Sequence, residues 1–346
     1  MAERQKLLES IAATTADYRK GELAAPTPAH VDRWVRQFDE SVQLPMLGEL
    51  DHVLKQTYFS KDIISQWFSR QIQHEGLAGK SPCDFWNSAN FLSIQKNGRS
   101  QAEILALFSE SLSNQCGISV GDCGAEGDVF VYLDDVLFSG GRVGADLKSW
   151  VVDSAPRAAT VHVLVIATHR LGEWQCTEGL KKVATKVGKK IEFKVWAAFR
   201  LENRLKYRNQ SEVLWPAAIP DDDRLNAYLA EQKKFPFQPR VPGDKTEHEI
   251  FSSEGGRQIM EQELLLAGIR IRAGCADPKP SMRPLGFSAF GLGFGSTVVT
   301  YRNCPNNCPL ALWWGDPDAT SGPFHWYPFF SRKTYAQSFD FDAIEL

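Results

Sequence analysis

The chain has 346 residues, 43% of them hydrophobic and 23% charged, a balance that excludes global disorder and allows one large domain or two smaller ones. A formal net charge of −3 argues against a protein built around a basic nucleic-acid stripe. Seven scattered cysteines, an opening MAERQKLLES without an apolar stretch and the lack of any run near the ~20 apolar residues of a membrane span together predict a cytoplasmic protein with free thiols and no membrane role.

Residues 1–80 read as an N-terminal helical region. After a Pro-containing stretch at 21–28, Thr27 is placed to cap and Pro28 to start a helix whose Val31, Trp34, Val35 and Phe38 share one face. Ile63, Ile64, Trp67 and Phe68 mark a second such face, and both stripes fit core packing.

Residues 81–204 alternate strands and helices. Phe91 to Ile94 is a short apolar run, followed by the polar loop Gln95 to Arg99 and by Ser100-Gln101-Ala102-Glu103, a capping-box signature with Ile104, Leu105, Phe108 and Leu112 on one side of the helix it opens. Val129 to Leu133 is the next strand, and a helix through Val143, Leu147, Trp150 and Val151 must end near Pro156. Val161 to Ala167, the helix Trp174 to Lys186 stopped by Gly188, and Ile191 to Phe199 continue the alternation. Strands separated by helices of this length pair in parallel, so the fold class is an α/β sheet. Residues 205–250, rich in proline and holding the acidic run Asp221 to Asp223, read as a connecting segment with those acids in a solvated loop. Residues 251–346 read as an α+β C-terminal extension, with a helix near Arg257 to Ala267, a Gly/aromatic stretch from Leu285 to Phe294 and a strand Thr297 to Tyr301.

The chemistry concentrates between Val129 and Arg142, where five apolar residues run into Asp134 and Asp135 and then into the small-residue loop Ser139-Gly140-Gly141. A buried parallel strand delivers its end to the sheet edge where open α/β folds hold ligands. Glycines at 140 and 141, backed by a helix N-terminus, make an anion cradle sized for one phosphate. Two carboxylates beside that cradle suit the adjacent hydroxyls of a ribose or a hydrated divalent cation.

Other chemistries fit less well. Gly76-Leu-Ala-Gly79-Lys80-Ser81 approaches a phosphate-binding loop of the NTPase kind, but His74 stands where its first glycine belongs and the preceding text is helical. Cys304 and Cys308 form one pair without a second at zinc spacing, so a turn made by Pro305, Asn306 and Asn307 explains the segment better. The seven histidines show no ligand or triad spacing. Trp313 and Trp314 fit core packing, with stacking on a base as the alternative.

The Asp134-Asp135 segment resembles the phosphoribosyl-pyrophosphate motif of type I phosphoribosyltransferases. With the Phe91 to Ser100 region, Arg283-Pro-Leu-Gly-Phe287 and the stretch Gly295 to Trp314, most of the chain resembles a phosphoribosyltransferase-like family of bacterial conflict systems, the PRTase-CE type. The resemblance implies a type I phosphoribosyltransferase-like parallel sheet with helices on both faces. It implies that Asp134 and Asp135 hold the ribose hydroxyls as the catalytic acids, that Val136, Leu137, Phe138, Ser139, Gly140, Gly141 and Arg142 bind the 5′-phosphate, and that Lys96, Asn97, Gly98 and Arg99 bind the pyrophosphate. Mg2+ would come with the ligand, held through the substrate near the two acids. Two departures from the family motif stand out: Ser139 replaces the commoner threonine, and Arg142 replaces a closing Thr or Ser. A nucleotide or phosphorylated-ribose ligand, an effector role in antiphage defence and a partner such as a retron-type reverse transcriptase or its nucleic-acid complex are further implications. A catalytically inactive nucleotide-sensing module in such a complex is the alternative. The sequence assigns no general base.

Overall fold

The computed structural model describes residues 1–95, 100–124, 127–232, 236–289 and 291–332. In chain order, α1 (Ala2–Thr14), α2 (Pro28–Val35), α3 (Glu40–Thr57) and β1 (Tyr58–Phe59) come first. They are followed by α4 (Lys61–Ile72), α5 (Glu75–Ala78), α6 (Pro82–Ser88), β2 (Asn90–Phe91), α7 (Ser100–Cys116), β3 (Val129–Leu137), α8 (Gly141–Asp153), β4 (Ala158–His169), α9 (Arg170–Lys186) and β5 (Lys190–Leu201). The last elements are α10 (Asp223–Glu231), α11 (Glu254–Ala273), β6 (Val299–Thr300) and α12 (Leu310–Trp313). Two compact units result, one of residues 61–201 and one of residues 1–60 with the chain from Glu202 onward. These units cut across the four segments read from the sequence, because α4 to α6 join the sheet that follows them while α1 to α3 join the C-terminal elements.

In residues 61–201 the strands form a four-stranded sheet of order β2-β3-β4-β5, parallel throughout. The strand β4 lies between two neighbours and is buried along nearly its whole length, which is why its sequence is a continuous β-branched and apolar run. On β5, which has one strand neighbour, Glu192 and Lys194 alternate with the buried Ile191 and Phe193, a charged edge that discourages further strand pairing. Tyr132, Val161, Val163 and Phe193 pack with Leu147 and Val151 of α8 and Leu180 of α9. A separate aromatic cluster joins α4, α6, α7 and β2: Phe68, Trp86 and Phe91 all pack on Phe108, with ring centroids 5.3, 5.1 and 5.6 Å away. The α/β class and the helix-covered parallel sheet expected from the sequence are therefore present.

The other unit contains little sheet. Its β1 and β6 pair in parallel over two residues each. Thr27 caps α2 by accepting the His30 amide at 3.2 Å, and Val31, Trp34, Val35 and Phe38 are buried as their spacing predicts. Trp34 and Trp326 both donate their indole N–H to the Ala311 carbonyl at 2.8 Å. Arg240, Arg257 and Glu261 form a buried ionic group, with Glu254 closing its rim.

Four expectations need correction. The strand β3 runs to Leu137, four residues beyond its predicted end, because β4 supplies partners for Val136 and Leu137 at Ala167 and Thr168. The strand β2 is shorter than its apolar run, covering only Asn90–Phe91. Asp222 and Asp223 are not loop residues: Asp222 caps α10 by accepting the Leu225 amide at 2.9 Å, and Asp223 is that helix's first residue. The thiols are not all free, since Cys83 and Cys116 are joined in a disulfide across α6 and α7.

Candidate functional site

The acid pair sits inside β3 near its carboxyl end, with both side chains buried. Each carboxylate turns back on the main chain: Asp134 accepts the Asp135 amide at 2.9 Å, and Asp135 accepts the Val136 amide at 2.8 Å. Burial, reinforced by the neighbouring Asp135 charge, pushes the Asp134 carboxyl up to about 8. The Asp135 amide, the Arg142 charge and the Ser100 hydroxyl oppose that rise. An isolated buried carboxylate is costly, so this position favours the neutral acid until a cation or a set of hydroxyl donors arrives.

Tyr132 stands one strand repeat before Asp134 and is fully buried. Its hydroxyl lies 3.0 Å from an Asp146 carboxylate oxygen on α8 and 3.5 Å from Asp134. Burial and these two acids raise its pKa, so it stays a protonated donor. Tyr132 and Asp146 thus back the acid pair from the α8 side. Sequence reading missed both, because a tyrosine in an apolar strand looks like core and Asp146 lies in a helix whose apolar positions carried the pattern.

The turn from β3 into α8 is tight. Val136 and Leu137 belong to the strand, Phe138 and Ser139 form the turn, Gly140 is the N-cap with a left-handed φ of 74°, and Gly141 and Arg142 are the first residues of the helix. A side chain at Gly140 would meet Cys176 and the Gly172 carbonyl at under 3 Å, and a Cβ on Gly172 would lie 1.7 Å from the Phe138 carbonyl. Glycine is required at both positions by close approach of α9. The exposed Ser139 hydroxyl accepts the Gly141 amide at 3.2 Å, while Arg142 is exposed on the first turn of α8. An exposed hydroxyl, a cation and a helix N-terminus near two acids are groups with the chemistry to receive an anion. His169, stacked on Phe138 at 4.3 Å, adds no charge to it, because burial lowers its pKa to about 3.

The start of α7 reaches Asp134. Ser100 stands within hydrogen-bonding reach of Asp134, and Gln101 accepts the amides of Ile94 and Gln95 at 2.9 Å each. In return, Gln95 accepts the Gln101 amide at 3.1 Å. This glutamine clasp, a pair of reciprocal contacts, is a fixed feature at the start of α7. The expected pyrophosphate residues Lys96, Asn97, Gly98 and Arg99 lie outside the described residues.

The oxygen-only donors of Asp134 and Asp135 fit a hard divalent cation. Among the described residues no cluster of three or more His, Cys, Asp or Glu side chains forms a metal cage, so the fit requires ligand oxygens to complete the shell. Cys304 and Cys308 are buried in the other unit, where the Cys308 amide donates to Pro305 at 3.0 Å in the expected turn. Trp313 and Trp314 are buried there too, with their indole N–H groups donated to the Cys308 and Pro323 carbonyls, and so serve as core.

A parallel α/β sheet carrying an acid pair before a glycine-capped helix defines a phosphoribosyltransferase-like protein. The chain belongs to the PRTase-CE family, whose model matches residues 31–332. Among curated proteins and among solved structures, none matches the chain. No described helix is long and apolar enough to cross a membrane.

Proposed function

We propose that residues 61–201 bind a phosphorylated ribose or a nucleotide together with Mg2+. The buried pair Asp134 and Asp135, set directly before the Phe138–Gly140 turn into α8, carries this reading. The two carboxyls would accept the ribose hydroxyls, whose donated protons suit the desolvated Asp134. The 5′-phosphate would lie against Ser139, Gly141 and Arg142 at the α8 N-terminus. Magnesium, when bound, supplies positive charge beside the ligand's phosphate oxygens. In a transferase reading these residues orient the ribose and stabilise charge as the bond at C1 breaks, by positioning and electrostatics instead of covalent chemistry. The implied conflict-system setting makes such a protein a cytoplasmic effector of antiphage defence, working beside a reverse transcriptase or its nucleic acid.

One observation favours a nucleotide-sensing module without turnover. Val136 and Leu137 are held in the β3–β4 ladder, and Arg142 occupies a helical position instead of a flexible loop, which leaves a stiff, short cradle. Calorimetric titration with phosphoribosyl pyrophosphate and with common nucleotides in Mg2+, for wild type and Asp134→Asn/Asp135→Asn, tests the site. Binding present in wild type and lost in the folded double variant is expected. No binding by wild type to any of these ligands would overturn the reading, and binding without turnover would select the sensor.

A further inference from the structure

The Cys83–Cys116 disulfide ties the first turn of α6 to the last residue of α7, 33 positions later. The covalent ring it closes contains β2 and the whole of α7, and therefore, at the far end of that helix, Ser100, whose side chain bears on Asp134, and Gln101, which holds the Ile94 and Gln95 amides. Both bridge cysteines are half-buried, so a small reductant can reach them, unlike the buried Cys176, Cys304 and Cys308. Within the ring the elements meet on one aromatic wedge: Trp86 of α6 and Phe91 of β2 both lean on Phe108 of α7. That wedge holds the middle of α7, and the bridge holds its end.

We propose that the Cys83–Cys116 bridge is a redox switch on the acid-pair site. A dithiol reductant attacks one bridge sulfur as its thiolate, forms a mixed disulfide and expels the other cysteine. Its second thiol then resolves the mixed species, leaving as a cyclic disulfide while two electrons and two protons end on Cys83 and Cys116. Opening the ring restores chain entropy to the unfolded form of α6 to α7, so local opening of α7 becomes more frequent and Ser100 and Gln101 hold their places for less of the time. A half-exposed bridge is open to thiol exchange, the condition that labile, regulatory disulfides share. The consequence for ligand binding rests on the function proposed above; the switch itself does not.

The test uses the full chain. Alkylation and peptide mass spectrometry of unreduced protein should find Cys83 and Cys116 linked, and amide exchange at residues 100–104 should become about tenfold faster on reduction with dithiothreitol. Cys83→Ser/Cys116→Ser should match the reduced wild type without any reductant, which separates the bridge from other effects of the reagent. Free, alkylated Cys83 and Cys116 in the unreduced protein, or an exchange rate at 100–104 indifferent to reduction, would each overturn the switch. If exchange responds but phosphoribosyl pyrophosphate binds in neither redox state, the switch stands and the ligand reading fails.

Discussion

Residues 61–201 and the unit made from residues 1–60 with the chain from Glu202 onward bury different things. The first hides a parallel sheet behind aliphatic and aromatic side chains, with β4 apolar almost from end to end. The second buries Arg240, Arg257 and Glu261 in mutual contact: Arg240 donates to Glu261 at 3.0 and 3.2 Å, Arg257 donates to it at 2.8 Å, and Glu261 also accepts the Trp215 amide. A sheet core is a sum of many interchangeable contacts, whereas an ionic core depends on each member. Charge deletion should therefore injure the second unit far more than a comparable surface change.

Glu261→Ala is the strongest way to test that contrast. It removes the carboxylate that Arg240 and Arg257 share, leaving Arg240 with Glu254 and the buried Arg257 with the Val213 carbonyl, and should cost about 3–5 kcal/mol, seen by calorimetry as a lowered transition of the second unit while amide exchange in β3 and β4 stays slow. Equal loss in both units would show that they do not unfold separately. On the other side, reducing the Cys83–Cys116 bridge should destabilise residues 61–201 by about 3–4 kcal/mol on the chain-entropy argument. Exchange in α11 is expected to be indifferent to the reductant, and acceleration there would break the comparison.

Proton linkage sharpens the first unit further. Burial holds His162 down to about 4 and His169 to about 3, against 6.5 when unfolded, so their contribution is complete above pH 6.5 and is lost as pH falls toward those values. Asp134 works in the opposite sense: its carboxyl is pushed from 3.8 to about 8, so its stabilising contribution is complete below 3.8 and is lost as pH rises to 8. Between pH 5 and 6.5 the acid therefore masks part of the histidine loss. Asp134→Asn should steepen the fall of stability with acid by about 1.4 kcal/mol per pH unit, measured by urea denaturation at stepped pH. An unchanged slope would mean that Asp134 is already ionised in the native protein.

The same contrast governs what could be read before the structure. The helix-strand alternation of residues 81–204, the α2 cap and the acid pair were legible because each is a pattern within a few consecutive residues. The β3 extension to Leu137 was not, since it depends on partners at Ala167 and Thr168 some 30 positions on. Tyr132 and Asp146, 14 positions apart, meet only once α8 folds onto β3. The glutamine clasp is not legible because its contacts join Gln95 and Gln101 six positions apart, a spacing that fits no local helix or turn rule.

Legibility and energetic weight need not coincide, and Thr27 measures the gap. Its side chain caps α2 through one amide at 3.2 Å, and the sequence alone announces it through Thr27-Pro28. Thr27→Ala should cost only about 1 kcal/mol, a small downward shift of the same calorimetric transition that Glu261→Ala moves strongly. Glu261 gives little local sign of its importance: Arg257, four positions before it on α11, reads as an ordinary helix pair, while Arg240 lies 21 positions before it and the Val213 carbonyl that anchors Arg257 lies 44 positions before that residue. A cap is a local rule because it satisfies neighbouring backbone groups in water-accessible space, where the alternative partner is solvent and the gain is small. The buried ionic group has no solvent alternative, so Arg240 must reach Glu261 from a distant part of the chain. If Thr27→Ala proved as damaging as Glu261→Ala, the α2 start would have to nucleate that unit, and the division between cheap local signals and costly distant ones would fail there.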